Sequence, residues 1–314
     1  MIVFRIPLRT RFRGLTHREG VLIEGPAGWG EFSPFVEYDD QVSAPWLGCA
    51  LEAAEEGWPQ PVRDEVPINV TVPACSPERA QEIVSARQGA ATAKVKVAEP
   101  GQSLADDQTR LEAVRDGMGA GLIRIDVNGA WSVDEALRAI PILERAAGGL
   151  EYVEQPCATV EELAQVRRRV RVPIAADESI RRVEDPYRVR DLAAADIAVL
   201  KVQPLGGVRR CLQIAEEIKL PVVVSSAVES SIGIAAGLAL AAALPELPYA
   251  CGLATMQLLE GDVSADSLVP VGGSIEVRRP AVDPDLARAW AHPEPAAWEA
   301  RVARVRAIRD DQLL

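Results

Sequence analysis

The sequence predicts an α/β chain built around a TIM-like (β/α)7β barrel, with a small α+β capping domain formed by its two ends. Three observations predict it. Eight short apolar runs begin near Pro67, Thr92, Leu122, Leu150, Pro173, Asp196, Pro221 and Tyr249, at start-to-start spacings of 25, 30, 28, 23, 23, 25 and 28 residues. Amphipathic stretches fill the gaps, as in Val133–Ile140 behind the candidate cap Ser132. The alternation is absent before about Val66 and lost after Val269. Alternating β and α units indicate a parallel sheet, and eight of them a closed barrel.

Taken in order, residues 1–62 form the first part of the cap. Ile2–Ile6, Gly20–Glu24 and the stretch through Gly30–Phe32 read as strands of a small antiparallel sheet. A basic loop, Arg9 to Arg18, reads as a hairpin tip or a flap over a site, and one helix is expected near Ser43–Gly57. Residues 63–268 form the barrel. Residues 269–314 return to the cap, with Ile275–Val277 rejoining the N-terminal sheet and an arginine-rich helical stretch from Leu286 to Asp310 packing beside it.

The bulk properties narrow the function. A chain of 314 residues with 48% hydrophobic and 25% charged residues can bury a sizeable core. A net charge of −12 argues against nucleic acid and anionic membrane as partners but leaves room for a small anionic substrate met by a local cluster of cations. The five cysteines are scattered and form no C-x-x-C pair, which suits reduced thiols in a cytoplasmic protein. There is no signal-peptide pattern, and the run Ile232–Leu244 is too short to span a bilayer. The two histidines, His17 and His292, lie far apart in the chain, which weakens a zinc-site or Ser/His/Asp reading.

Of 34 basic residues only Lys94, Lys96, Lys201 and Lys219 are lysine. In the strand Thr92–Val97, Lys94 and Lys96 share one face while Ala93, Val95 and Val97 share the other. Two ammonium groups side by side need carboxylates, a metal or an anionic ligand to meet them. Lysine, unlike arginine, can lose its proton near neutral pH when its pKa is lowered.

The functional face of such a barrel is the C-terminal end of its strands. The third, fourth and fifth strands end in Asp126, Glu154 and Asp177, and the sixth in Lys201. Neighbouring parallel strands lie about 4.8 Å apart, so three such carboxylates can converge on one ion. Oxygen donors without His or Cys favour Mg2+ over zinc. A metal flanked by amines on either side suits removal of a proton α to a carboxylate, with the metal stabilising the enediolate. Arg124 and Asn128 share the face of Asp126 and are candidate substrate contacts. The loop from Val224 to Gly233 offers the hydroxyls of Ser225, Ser226 and Ser230 to an anion, and Gly252 lets a ligand approach the backbone.

K-x-K, D-x-N, E-x-P, D-E-S and K at successive strand ends resemble the enolase superfamily in its muconate-lactonizing-enzyme-like branch. The Lys base with Mg2+ is a known pattern of that superfamily. Trp29-Gly30-Glu31-Phe32-Ser33-Pro34 is similar to a G-W-G-E-x-x-P stretch of its succinylbenzoate-forming dehydratases. The resemblance implies that Asp126, Glu154 and Asp177 hold Mg2+, for which Mn2+ substitutes. It implies that Lys96 takes the α-proton and then assists departure of hydroxide in a syn dehydration. Lys94 would keep the pKa of Lys96 low and contact the carboxylate, and Lys201 would stabilise the enediolate from across the ring. The implied substrate is 2-succinyl-6-hydroxy-2,4-cyclohexadiene-1-carboxylate and the product o-succinylbenzoate, a step of menaquinone biosynthesis. The succinyl carboxylate would sit at the serine-rich loop. Between Pro34 and Val66 there is room for one helix where the resemblance implies several, so the cap is shortened; this leaves the oligomeric state open and is compatible with a monomer.

Racemisation of N-succinylamino acids, alone or beside the dehydration, is the alternative, since Lys96 and Lys201 on opposite faces serve a two-base exchange equally well. A Schiff-base lyase needs one desolvated lysine and no metal, against which the three carboxylates argue. A non-catalytic ligand-binding barrel is opposed by the complete constellation. Gly117–Gly121 precedes a strand rather than following one, so a dinucleotide-binding reading fails, and Leu205-Gly206-Gly207 reads as a tight turn.

Overall fold

A computed structural model describes residues 1–12, 14–86, 89–181 and 185–313, with the side chains of 10–12 and of 312 and 313 left aside. The N-terminal strands β1 (Ile2–Phe12), β2 (Leu15–Gly25) and β3 (Gly28–Phe32) form an antiparallel sheet in the order β1-β2-β3. Helix α1 (Asp40–Leu51), capped by the Asp39 carboxylate on the Val42 N–H, runs into a wider turn at Glu52–Glu56. That is the one helix expected of the cap.

Strand β4 (Glu65–Pro67) then leads into the barrel. Its strands and helices alternate as β5 (Asn69–Val72), α2 (Pro77–Ser85), β6 (Thr92–Lys96), α3 (Leu104–Met118), β7 (Leu122–Asp126), α4 (Val133–Ala146), β8 (Val153–Glu154), α5 (Val160–Arg167), β9 (Ile174–Ala176), α6 (Asp185–Asp191), β10 (Ile197–Lys201), the short α7 (Val202–Leu205), α8 (Val208–Ile218), β11 (Val222–Ser225) and α9 (Ser231–Ala243). Ser103, Ser132 and Thr159 each close a capping box at α3, α4 and α5. The sheet β5 to β11 is parallel throughout. The eighth strand is reduced to Cys251–Gly252, which bridges Ile68 on one side and Ser225 on the other and so closes the barrel. Val, Ile, Leu and Ala from the outward faces of the strands pack against the helices in one continuous core; each such large side chain contributes roughly 1.5–3 kcal/mol by leaving water.

The C-terminal segment differs from expectation in one place. Strand β12 (Ser274–Glu276) pairs antiparallel with β4, setting Ile275 opposite Val66, and does not rejoin the cap sheet. Helices α10 (Pro284–Ala289) and α11 (Pro295–Leu313) do return to the cap. Trp298 packs edge-on against Phe32, Arg304 pairs with Asp40, and the Arg5 N–H donates to the Trp290 carbonyl.

The cap is anchored to the barrel through two carboxylates set on helix N-termini, where free N–H groups and the helix dipole favour negative charge. Glu52 accepts from the N–H groups of Val208 and Arg209 at the start of α8. Glu31 accepts from the N–H groups of Ser230 and Gly233 at the start of α9. The Gly206-Gly207 turn, with φ of 97° and 126°, is thus a link between α7 and α8: its own N–H groups close back on the Val202 carbonyl, and those of Val208 and Arg209 just after it meet Glu52. Arg18 lies in the same junction, buried over the Phe35 ring and donating to the Val228 carbonyl at 2.7 Å and to that of Ser33. It is therefore no flap residue. Arg9 donates to the Leu259 carbonyl at the flank, and Arg13 lies outside the described residues. Among the described residues no helix is long and apolar enough to cross a membrane, and all five cysteines are free thiols.

Candidate active site

The site is built by strand parity. Along each barrel strand alternate side chains face the helices or the interior. Ile125, Val153, Ala176, Leu200 and Val224 belong to the outer core, whereas Tyr152, Ala175, Ile197, Val199 and Val223 cluster inside the barrel. Continuing those inner rows to the C-terminal rim places Glu154 above Tyr152, Asp177 above Ala175, Lys201 above Val199 and Ser225 above Val223. Lys94, Lys96 and Asp126 lie on the inner rows of β6 and β7. Register keeps the rim level: Lys96 is opposite Asp126, Asp126 opposite Glu154, and Lys201 opposite Ser225.

The charges meet directly. The Lys94 ammonium donates to Asp126 Oδ2 at 3.1 Å and to Glu154 Oε1 at 2.9 Å. Lys96 donates to Asp126 Oδ2 at 2.5 Å and to Asn128 Oδ1 at 2.8 Å, and Lys201 donates to Asp177. All three carboxylates are buried. Burial raises the Asp126 pKa, but Lys96 and Lys94 outweigh it and hold the group well below the usual carboxylate range. Asp177 is likewise held low by Lys201 and Arg181 against the cost of burial. Glu154 is pushed up to about 7 by burial and by the charge of Asp126. Burial works against the charge of Lys94, yet Glu154 and Asp126 hold its pKa well above the ordinary lysine value. Lys201 is lowered by burial, which Asp177 only partly offsets.

Among the described residues no group of three or more Asp, Glu, His or Cys is drawn together as a finished metal cage. The reason is visible in the ion pairs: lysine ammonium groups reach in and neutralise the carboxylates. The donor set nonetheless fits a hard divalent ion. Three buried carboxylates end adjacent strands, an all-oxygen donor set of the kind such an ion prefers. Asp126, Glu154 and Asp177 are the residues that could hold it.

A cavity opens over this floor, lined by Lys94, Lys96, Asp126, Asn128, Asp177, Lys201, Ser225, Ser226 and Gly252 among others. Two expected contacts are elsewhere. Arg124 sits one layer down the same inner row, buried over the Tyr152 ring, paired with Glu151 and donating to the Tyr152 hydroxyl and the Ala250 carbonyl; it braces the barrel interior and does not line the cavity. Ser230 is fully buried, donates to Glu31 Oε2 at 2.5 Å and caps α9 at Ile232. The Ser226 hydroxyl is shared between the Gly252 carbonyl and Thr255. At Gly252 an added Cβ would lie 2.7 Å from Ser225 Oγ, so a larger residue here would turn that hydroxyl aside.

Other lining residues were not foreseen. Phe35, Tyr38 and Trp46 of the cap stack edge-to-face as a roof. Arg181 enters from the turn Glu178–Ile180 after β9, and Thr71, Pro204 and Leu258 complete the wall. An arginine four residues beyond Asp177 was the available sequence signal; the roof has none, because it is made by docking of the cap.

Behind the Ser225 loop, Glu229 is buried, accepts the Ala227 N–H with one oxygen and has no hydrogen-bond partner at the other. Burial, with the nearby Glu31, pushes its pKa up to about 7. The folded value exceeds the unfolded value of about 4.3, so folding takes up a proton between them. This contribution is full below pH ~4.3, is lost as pH rises through about 7, and stays lost above. Glu229→Gln is therefore expected to be more stable than the parent at pH 8, by up to about 3 kcal/mol, and nearly equal at pH 4.5. Urea unfolding at the two pH values reads the difference.

Comparison with known proteins agrees with this architecture. Residues 77–284 match the family described as enolase C-terminal domain-like, and residues 3–54 the enolase N-terminal domain-like family. The chain is 66% identical to an o-succinylbenzoate synthase of Thermobifida fusca (strain YX), covering 97% of this chain and 95% of that one. It is 58% identical to an o-succinylbenzoate synthase of Mycolicibacterium smegmatis, covering 98% and 95%. A muconate lactonizing enzyme from Pseudomonas fluorescens, solved with muconolactone, shares the fold at a TM-score of 0.79 and 22% identity, covering 93% of this chain and 97% of that one. The Bacillus subtilis L-Ala-D/L-Glu epimerase does so at a TM-score of 0.76 and 24% identity, covering 89% and 95%. With its barrel, its cap and relatives of this identity over nearly its whole length, the chain belongs to the enolase superfamily, among the o-succinylbenzoate synthases.

Proposed function

We infer that the chain is a lyase that converts 2-succinyl-6-hydroxy-2,4-cyclohexadiene-1-carboxylate to o-succinylbenzoate by syn dehydration, in menaquinone biosynthesis. The observation that carries the reading is 66% identity to an o-succinylbenzoate synthase over 97% of the chain. Members of the superfamily use a divalent metal, and the all-oxygen donor set here suits Mg2+, with Mn2+ as a substitute. Asp126, Glu154 and Asp177 would hold it; when bound, it supplies electrostatic stabilisation of negative charge developing on the substrate carboxylate. Three lysines balance three carboxylates on the floor, so a divalent ion leaves an excess of positive charge that matches a dicarboxylate.

Lys96 is the base. As a neutral amine its Nζ takes the proton from the carbon bearing the carboxylate; the same ammonium then returns a proton to the departing hydroxyl on the neighbouring carbon, which leaves as water. One lysine suffices because both groups leave from one face, and the ring gains the double bond that makes it aromatic. Asn128 Oδ1 and Asp126 orient Lys96. Lys94, held protonated, contacts the carboxylate. Lys201 stands four strands from β6 in the barrel order, directly across the mouth, and stabilises the developing negative charge as a cation.

That same placement of Lys96 and Lys201 on opposite sides is what favours the second reading, two-base racemisation of an N-succinylamino acid, alone or beside the dehydration. The two are separated by offering each substrate with Mg2+ in deuterated water. Growth of aromatic absorbance from the cyclohexadiene supports the dehydratase. No such growth, with deuterium entering the α-carbon of the N-succinylamino acid, moves the chain to racemase.

A further inference from the structure

The floor accounts for one end of a dicarboxylate, and the other end needs its own receptor. Of the cations lining the cavity, Lys94, Lys96 and Lys201 are engaged with the three rim carboxylates. Arg181 is the remaining one. Its Nη2 donates to Glu178 at 2.7 Å and stands 3.6 Å from Asp177, and Tyr38 is within hydrogen-bonding reach of the guanidinium. Among the described residues its buried Nε has no hydrogen-bond partner. Trp46, stacked on Tyr38 in the same cavity wall, is 1% exposed, and among the described residues its indole Nε1 finds no partner.

Both orphaned atoms are donors and neither group can accept. A buried donor left unpaired is costly, and a guanidinium fork is shaped for a carboxylate. Phe35, Trp46, Pro204 and Leu258 give the same cavity an apolar wall suited to a short methylene chain. The serine loop offers less: Ser230 is spent on Glu31 and Ser226 on Gly252 and Thr255, which leaves Ser225, a neutral hydroxyl, at the cavity wall.

Resting on the dehydratase reading above, we propose that Arg181, with the Trp46 indole N–H and Tyr38 beside it, is the receptor for the carboxylate at the end of the substrate's succinyl chain. Arg181 is then a specificity-determining residue: it selects substrates carrying a second anionic group, and it joins a barrel turn to the cap roof around that group.

The test compares o-succinylbenzoate with o-butyrylbenzoate, which has the same skeleton with a methyl in place of the distal carboxylate, as competitive inhibitors in the presence of Mg2+. The parent is expected to prefer the diacid. Arg181→Met weakens the diacid roughly 10- to 100-fold, the worth of one charge-assisted contact, and leaves the monoacid unchanged. The substrate KM rises with it. Arg181→Lys recovers part of the preference, and Trp46→Phe, which keeps the ring packing, loses a smaller part of it. Equal weakening of both acids in Arg181→Met, or an unaltered preference in both Arg181→Met and Trp46→Phe, overturns the assignment. If the parent aromatises its substrate but the variants keep the diacid preference, only the receptor assignment falls. If the parent neither aromatises the substrate nor binds the diacid, the dehydratase reading falls and this inference with it.

Discussion

Lys96→Gln is expected to lower kcat for aromatisation by roughly 10²- to 10⁴-fold, the usual worth of a positioned general base. The substituted amide can still donate to Asp126 Oδ2 and Asn128 Oδ1, two of the partners of Lys96, so the rim keeps its shape. It cannot take a proton. Thermal stability is therefore expected to change little and Mn2+ affinity not to fall, which separates loss of chemistry from loss of the site. The same substitution removes both the base and the acid of the syn elimination, so no added nucleophile or altered leaving group should bypass it. Ultraviolet progress curves give kcat, and a fall of only a few-fold would move the base to Lys201.

Glu154→Gln is expected to cost roughly 30- to 5,000-fold in divalent-metal affinity, because truncating one partner of a buried charged set costs about 2–5 kcal/mol. Glu154 occupies the middle of the three strand ends, with Asp126 opposite it on β7 and Asp177 near it on β9. Burial and the charge of Asp126 already raise its pKa to about 7, so without metal the carboxylate is under electrostatic stress. Removing that charge leaves Lys94 on Asp126 alone, at 3.1 Å. The metal-free variant should then lose little stability while the metal-bound form loses much. Melting curves of parent and variant across a series of Mg2+ concentrations show this directly: the parent's midpoint climbs with metal and the variant's stays flat. A variant whose midpoint still climbs like the parent's would remove Glu154 from the metal set.

Much of this site was legible because a parallel barrel converts spacing into position. Side-chain parity put Lys94 and Lys96 on the inner face of β6, and the strand-end rule put Asp126, Glu154, Asp177 and Lys201 at one rim; the structure has all of them there. Parity does not give depth. Arg124 shares the inner row of Asp126, which is why parity alone makes it a substrate contact, but it lies one layer below, among Tyr152 and Glu151. Ser230 was misplaced for a different reason: whether a loop hydroxyl faces a ligand or a neighbour depends on a partner 199 residues away, Glu31. The pairing of β12 with β4 and the roof of Phe35, Tyr38 and Trp46 likewise come from docking, which local propensity does not encode. Glu31 itself stood in a recognised stretch, yet its role as an anchor on α9 appears only once the helix N-terminus is set against it.

The most direct test of the account is the absorbance of the cyclohexadiene carboxylate incubated with the parent chain, first stripped of metal by chelator and then supplied with Mg2+. A flat trace is expected in chelator, and prompt appearance of o-succinylbenzoate when Mg2+ is in excess. Aromatisation at an undiminished rate in chelator, or none at any Mg2+ concentration by a folded chain, would contradict it.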